Sequence, residues 1–234
     1  MINFITDVLF SKKCVNCKKL GSYICPECFS TISFSPNSIC PVCNKNSIDS
    51  STHSFCKSAS HLDGLTCGVI YKGVVRRLIH EFKYKPYIAD LKKIIAKLLY
   101  EALVQDEIFS KILELNPIVV PVPLYKIKER TRGYNHAALI AKIIAEKFSL
   151  QFLDDALIRV KDTKPQFDLN KDQRRKNIKD AFVVNRNLAL KITQKPILLI
   201  DDVITTCSTL NECARMLKKQ GANLVWGVTF AREL

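Results

Sequence analysis

Residues 195–222 read KPILLIDDVITTCSTLNECARMLKKQGA and place two carboxylates between an apolar run and a turn rich in hydroxyl groups. The apolar run, residues 197–200, predicts a buried strand that ends in Asp201 and Asp202. Carboxylates at the C-terminal end of a strand lie where open α/β sheets bind ligands. Their oxygens accept hydrogen bonds from ribose hydroxyls and can also hold a magnesium ion. We therefore expect a sugar to bind at this strand end.

The turn after the carboxylates carries four hydroxyl side chains and opens into a predicted helix. The N-terminus of a helix presents unpaired N–H groups and partial positive charge, which suit a phosphate. Such side chains often cap a helix instead, but their combination with the acid pair favours a ribose with a terminal phosphate. The chain lacks the GxxxxGK[ST] pattern of nucleotide triphosphatases. The turn consists of Thr205, Thr206, Cys207, Ser208 and Thr209.

Three CxxC pairs and one HxxC pair near the N-terminus predict two zinc sites. A two-residue gap lets a tight knuckle direct both side chains at one ion, and structural zinc takes four such ligands in a tetrahedron. The segment is too short to fold on its own core, so the zinc is expected to be structural. Sequential and cross-braced pairing both remain open, although the compact quartets favour the sequential one. The predicted quartets are Cys14, Cys17, Cys25 and Cys28, and Cys40, Cys43, His53 and Cys56.

The length and composition predict a small zinc-binding domain, residues 1–62, followed by a larger domain, residues 63–234. The chain has 234 residues, of which 47% are hydrophobic, enough for a sizeable core. No apolar run reaches the roughly 20 residues that a membrane span needs. The N-terminal segment is a poor signal peptide, so a cytoplasmic location is expected, where ten cysteines favour metal binding over disulfides.

The chain is strongly basic, with a formal net charge of +14. Residues 159–179 contain eight lysines and arginines against three aspartates, and a second basic cluster spans residues 126–132. A charge run is often only a solvated face, but several such clusters indicate contact with a polyanion. With few aromatics among them, we expect contacts to the backbone of a nucleic acid and limited stacking on Tyr134 or Phe167. The predicted nucleic-acid contacts are Arg130, Arg174, Arg175 and Lys176.

Strands alternate with helices along residues 63–234, which predicts an α/β domain with a mainly parallel twisted sheet and helices on both faces. The segment after the second strand is expected to deliver Arg130, Arg132 and Asn135 into a loop. The predicted strands are 67–71, 117–123, 150–157, 181–184, 197–200 and 223–230, and the predicted helices are 73–83, 88–104, 135–148 and 208–220.

Five motifs in one order resemble the ComF (ComFC) family of phosphoribosyltransferase-like proteins of bacterial natural competence, and this resemblance covers nearly the whole chain. The motifs are the cysteine pairs, FKYKP, PVPLYKIKERTRGYNHAALIA, TKPQFDLNKDQRRKNIKDAFVV and IDDVITTCSTLNECARMLKKQGA. Three positions depart from the family pattern: Cys207 replaces the glycine of the phosphate loop, His136 replaces a glutamine, and His53 replaces a cysteine.

The resemblance implies a type I phosphoribosyltransferase fold and a binding site for phosphoribosyl diphosphate. It assigns Asp201 and Asp202 to the ribose diol and the hydroxyl turn to the 5′-phosphate. Pyrophosphate would bind at residues 121–124, beside Arg132 and Lys83, and Mg²⁺ would accompany the diphosphate. Cys207 is expected to weaken the loop, because a left-handed conformation costs about 1–2 kcal/mol when a side chain is present.

The sequence is compatible with two functions. The resemblance implies a protein that handles incoming single-stranded DNA, beside a competence helicase and a recombination-loading protein, and retains a phosphoribosyl-diphosphate pocket. The alternative is an active phosphoribosyltransferase of nucleotide salvage. Such an enzyme needs polar groups above the pocket to hold an acceptor base, and no motif in the sequence supplies them.

Overall fold

The computed structural model describes residues 12–34, 38–84, 90–163 and 171–233, except for the side chains of residues 171, 172 and 175. Phe167 and the Arg175 side chain, both named above as nucleic-acid contacts, therefore lie outside the described part, as do Lys85 and Pro86 of the FKYKP motif. Among the described helices, none has the length and apolar character needed to cross a membrane.

The described residues form six strands and nine α-helices. The strands are β1 (Gly64–Ile70), β2 (Ile118–Pro121), β3 (Leu157–Arg159), β4 (Phe182–Val184), β5 (Pro196–Ile204) and β6 (Leu224–Arg232). The helices are α1 (Pro26–Phe29), α2 (Gly73–Tyr84), α3 (Leu91–Val104), α4 (Glu107–Glu114), α5 (Lys126–Arg132), α6 (His136–Lys147), α7 (Lys171–Ile178), α8 (Ala189–Ile192) and α9 (Ser208–Lys219). Short 3₁₀ turns span Ser54–Cys56 and Arg186–Leu188.

Four strands form a parallel sheet in the order β1-β6-β5-β2. Because every strand runs the same way, the carboxyl ends of β2 and β5 meet at one edge, with Pro121 opposite Ile200. The strands β3 and β4 form a separate antiparallel pair. The predicted parallel sheet is thus confirmed.

Both faces of the sheet are buried, which explains why β5 reads as a continuous apolar run. Leu198 and Ile200 belong to the core cluster under α2, α3 and α6, whereas Ile197 and Leu199 belong to the cluster under α9. The alternation follows from the period of two residues along a strand. Helices on both faces and a cysteine-rich N-terminal region complete the predicted α/β fold class, which is confirmed.

The predicted helices 73–83, 135–148 and 208–220 are confirmed to within one residue at each end. The single strand predicted for residues 150–157 is wrong, because Phe152 forms only an isolated bridge with Val119 and β3 begins at Leu157. The division at residue 62 stays a prediction.

The loop expected around Arg130 and Arg132 is also wrong, because these residues lie on α5. This helix has no buried residue, so apolar periodicity could not reveal it. Gly133 ends it in the left-handed conformation, with a φ of 85°, which favours glycine at the end of a helix.

Candidate functional site

The eight predicted zinc ligands form two quartets that are sequential along the chain. Within each quartet the ligand atoms all lie within 4.8 Å of one another. The Sγ atoms of Cys17 and Cys25 are 3.5 Å apart, and Cys43 Sγ lies 3.4 Å from His53 Nδ1. A tetrahedral zinc ion with bonds of about 2.0–2.3 Å fits such spacings. The other ring nitrogen of His53 lies 2.9 Å from the Asn46 carbonyl oxygen, a contact that orients ligating histidines.

We predict about two zinc ions per purified chain, measured by inductively coupled plasma mass spectrometry. Cys25→Ser should lose one ion and unfold the cysteine-rich N-terminal region while the sheet remains folded, because that region depends on metal for its stability. Cys67→Ser is the matched control, since Cys67 lies on β1 outside both quartets, and it should keep both ions. A wild-type content well below one ion per chain would contradict the assignment.

The two predicted sugar ligands lie near the end of β5, inside the strand rather than after it. The ladder to β6 continues through Asp201, which is opposite Thr229. Asp202 is only 7% exposed and pairs with Lys83 of α2, whose Nζ lies 2.9 Å from Asp202 Oδ2. Burial lowers the pKa of Lys83, but the charge of Asp202 outweighs it and raises that pKa. The structure therefore brings Lys83 and both carboxylates into one charged cluster.

Asp201 has the second carboxylate of this cluster. Burial, with the adjacent charge of Asp202, raises the pKa of Asp201 to about 7. Its Oδ1 accepts a hydrogen bond of 2.8 Å from the backbone N–H of Asp202. A carboxyl group that titrates near neutral pH in a cleft is a mark of functional sites.

We predict that Asp201→Asn stabilises the fold at pH 8 more than at pH 6. The native carboxyl binds its proton more tightly than the unfolded one, whose pKa is about 3.9. Stability contributed by this group is therefore present at low pH and lost as the pH rises through about 7. Melting temperatures of the wild-type protein and Asp201→Asn at each pH measure the effect. Asp155→Asn is the control, because Asp155 is exposed. An equal gain at both pH values would contradict this.

The hydroxyl turn has the geometry expected at a glycine position. Cys207 adopts the left-handed conformation, with a φ of 54°, and directly precedes α9. Its side chain is 3% exposed and packs within the cluster under α9. The hydroxyls of Thr206 and Ser208 are 2.9 Å apart. Because the Cys207 side chain points into the core, its cost is conformational and it does not fill the space a phosphate would take.

The second zinc quartet lies directly against this turn. Cys207 Sγ lies 3.8 Å from Asn44 Oδ1, one residue beyond Cys43. On the next turn of α9, Asn211 donates a 2.9 Å hydrogen bond to the Pro41 carbonyl and accepts one of 3.1 Å from the Leu62 backbone N–H. The cysteine-rich region and the residues just after it thus hold the first two turns of α9.

A cleft of about 1130 Å³ lies beside the carboxylates and includes Thr205 and Thr209 of the turn. It is also lined by Val122, Pro123 and Leu124, so the predicted pyrophosphate turn faces the same space. Its lining contains eight lysines and arginines but four acidic residues. The basic residues are Lys18, Arg76, Arg77, Lys83, Lys128, Arg132, Arg159 and Arg174.

Of the predicted nucleic-acid contacts whose side chains are described, one belongs to this cleft. Arg174 on α7 donates a 2.7 Å hydrogen bond to Thr205 Oγ1 and thereby covers the hydroxyl turn. Arg130 and Lys176 are exposed and are not among the described residues that line the cleft. The structure therefore separates a pocket arginine from two surface cations that the sequence had grouped together.

Several cleft residues were not predicted as site residues from the sequence, among them Arg159, Lys128 and His136. Arg159 lies on β3, with its guanidinium carbon 5.5 Å from the Phe182 ring centroid, and Lys128 forms a 3.1 Å ion pair with Asp162. His136 is buried against Phe82, which lowers its pKa to about 4, and its Nε2 has no partner within the described residues. Only the departure of His136 from the family pattern could have drawn attention to it.

A parallel sheet with this strand–turn–helix and two sequential quartets of metal-ligating side chains define an α/β protein with an N-terminal metal-binding region. The family model of the double zinc ribbon domain matches residues 5–60. Competence protein F of Haemophilus influenzae is 37% identical over 158 residues, which cover 66% of this chain and 67% of that protein. The chain therefore belongs to the competence protein F (ComF) family.

Other relatives carry a name connected with DNA. The DNA utilization protein YhgH of Escherichia coli O157:H7 is 30% identical over 148 residues, and the chain spans 63% of its length. The solved structure of the allosteric regulatory enzyme of purine biosynthesis aligns with a TM-score of 0.33 and 20% identity, over 49% of this chain and 22% of that one.

Proposed function

We propose that this protein takes part in DNA uptake in the cytoplasm, where it binds single-stranded DNA and holds phosphoribosyl diphosphate with Mg²⁺ in the cleft. The observation that carries the proposal is the meeting of the carboxylate pair and the hydroxyl turn in one basic cleft. A competence helicase and a recombination-loading protein are the partners that this role implies.

The sugar-phosphate part of the proposal is supported by how the two halves of the cleft complement the ligand. Asp201 and Asp202 offer acceptors to the ribose hydroxyls, and the N-terminus of α9 offers N–H donors and partial positive charge to the 5′-phosphate. Residues 122–124, with Arg132 and Lys83 nearby, would receive the diphosphate. The bound Mg²⁺ would neutralise part of the diphosphate charge.

The DNA part is supported by charge and by the relatives. Arg130 and Lys176 are exposed cations outside the cleft lining, as expected of residues that contact phosphates without reading bases. The names of the relatives, a competence protein and DNA utilization proteins, connect the family with DNA. A net charge of +14 also favours association with a polyanion.

We predict that phosphoribosyl diphosphate with Mg²⁺ raises the melting temperature by about 5–10 °C at 100 times its dissociation constant. Asp201→Asn should lose most of this shift, since it removes one ribose acceptor and leaves the pair of Lys83 with Asp202 in place. Asp155→Asn should keep it. Ribose 5-phosphate and pyrophosphate, tested separately, show which half of the ligand contributes. A full shift in Asp201→Asn would contradict the assigned role.

We predict that Arg130→Ala combined with Lys176→Ala weakens binding to an oligothymidylate and flattens its dependence on salt. Each phosphate contact on a single strand contributes about −0.7 to the slope of log affinity against log salt, so two lost contacts remove about 1.4. Fluorescence anisotropy at four salt concentrations measures both quantities. Lys97→Ala with Lys111→Ala, on α3 and α4, is the matched control.

Arg174→Ala separates the two binding functions when its affinity for the oligothymidylate and its melting-temperature shift with phosphoribosyl diphosphate are both measured. Because Arg174 contacts Thr205, this variant should lose ligand binding and keep most of its DNA affinity. Absence of DNA binding by the wild-type protein at low salt would remove the DNA part of the proposal.

An active phosphoribosyltransferase is the second candidate, and two observations favour it. Arg159 and Arg174 belong to the cleft lining as polar groups that could face an acceptor, and the raised pKa of Asp201, about 7, suits general base catalysis. Release of pyrophosphate from the sugar diphosphate in the presence of each free nucleobase tests this candidate directly.

A further inference from the structure

The exposed face of α2 carries a stripe of three side chains that can meet a nucleic acid. Arg76, His80 and Tyr84 are spaced four residues apart, which places them on one face of the helix. All three line the same cleft as Asp201 and Thr205.

Tyr84 is the unusual member of this stripe, because its large ring is 58% exposed. The ring is held by two neighbours: the His80 ring centroid is 4.8 Å away, and the Arg132 guanidinium carbon lies 5.3 Å from the Tyr84 centroid. A ring positioned in this way loses little further freedom when a flat ligand stacks on it. An aromatic ring in a basic groove is the arrangement on which unpaired bases stack.

We propose that Tyr84, held by His80 and Arg132, is a stacking site for an unpaired base of single-stranded DNA on the exposed wall of the cleft. The inference rests on the proposed DNA binding and adds the place where a base is held. Arg76 lies on the same face two turns away, roughly 12 Å along the helix, where it meets the phosphate backbone of the same strand.

The charge around the ring favours a nucleic acid over an apolar partner. Arg76 is part of the stripe and Arg132 lies against the Tyr84 ring, while Arg77 donates a 2.6 Å hydrogen bond to the carbonyl of Asn16, which lies between two ligands of the first zinc quartet. Glu81, the one acidic residue of α2, is 3.8 Å from Lys18, so its charge is partly compensated. An apolar partner would have to desolvate these cations, whereas a DNA strand would pair with them.

Tyr134, the aromatic residue that the sequence favoured, is engaged elsewhere. Its hydroxyl donates a 2.7 Å hydrogen bond to the Phe82 carbonyl, and its ring packs against Phe82 and His136. Tyr84 is thus the better placed of the two described candidates.

The test compares an oligothymidylate with an abasic oligonucleotide of equal length, using anisotropy on the wild-type protein and three variants. Tyr84→Ala and Tyr84→Leu should bind the oligothymidylate about tenfold more weakly, within the range for the loss of one stacked base. Tyr84→Phe keeps the ring face and should bind like wild type. The salt slope should stay unchanged in all three, because no phosphate contact is lost.

Three comparisons decide whether the proposal holds. The proposal is supported if Tyr84→Ala reduces the preference of the protein for the oligothymidylate over the abasic strand. It is overturned if that preference persists unchanged, or if Tyr84→Leu binds like wild type while thermal melting shows both variants folded. If Tyr84→Ala loses the binding of a free nucleobase that the wild-type protein shows, while its DNA binding stays intact, Tyr84 holds an acceptor base and the proposal is overturned. If wild type binds no DNA, the proposed function itself fails.

Discussion

The central strand β5 is the element on which the fold and the cleft both depend. It pairs with β2 on one side and β6 on the other, and both of its faces are buried. Since the three strands are parallel, their carboxyl ends meet at one edge, where irregular backbone can form a ligand site. The ladder to β6 extends through Ile204, so the backbone that carries Asp201 and Asp202 is fixed by hydrogen bonds. Lys83 then compensates the buried charge of Asp202, without which the strand end would be strongly destabilised.

The zinc ribbon takes part in shaping the cleft as well as in folding the N-terminal region. Its second quartet contacts the hydroxyl turn through Asn44 and Cys207 and holds α9 through Asn211. Its first quartet reaches α2 through the bond from Arg77 to the Asn16 carbonyl. The ribbon therefore supports the cleft from two sides, and the left-handed turn at Cys207 is kept in place by contacts that compensate its conformational cost.

The sequence predicted the parts of this protein that depend on local patterns. The strand before Asp201, the helix after Ser208 and the sequential zinc quartets all follow from spacing and periodicity. The helix α5 could not be predicted because none of its residues is buried. Tyr84 and Arg159 gain their significance only from neighbours distant in sequence, Arg132 in one case and Phe182 in the other. Arg174 was grouped with surface cations because charge clustering does not distinguish a residue that contacts the turn from one that faces solvent.

A crystal structure of the protein with phosphoribosyl diphosphate and Mg²⁺ would show where each part of the ligand binds. We expect the 5′-phosphate on the backbone N–H groups of residues 205–209, with the ribose hydroxyls within hydrogen-bond distance of Asp201 and Asp202. We expect the diphosphate at residues 122–124. A ligand bound outside this cleft, or a 5′-phosphate held away from the hydroxyl turn, would contradict the proposed site.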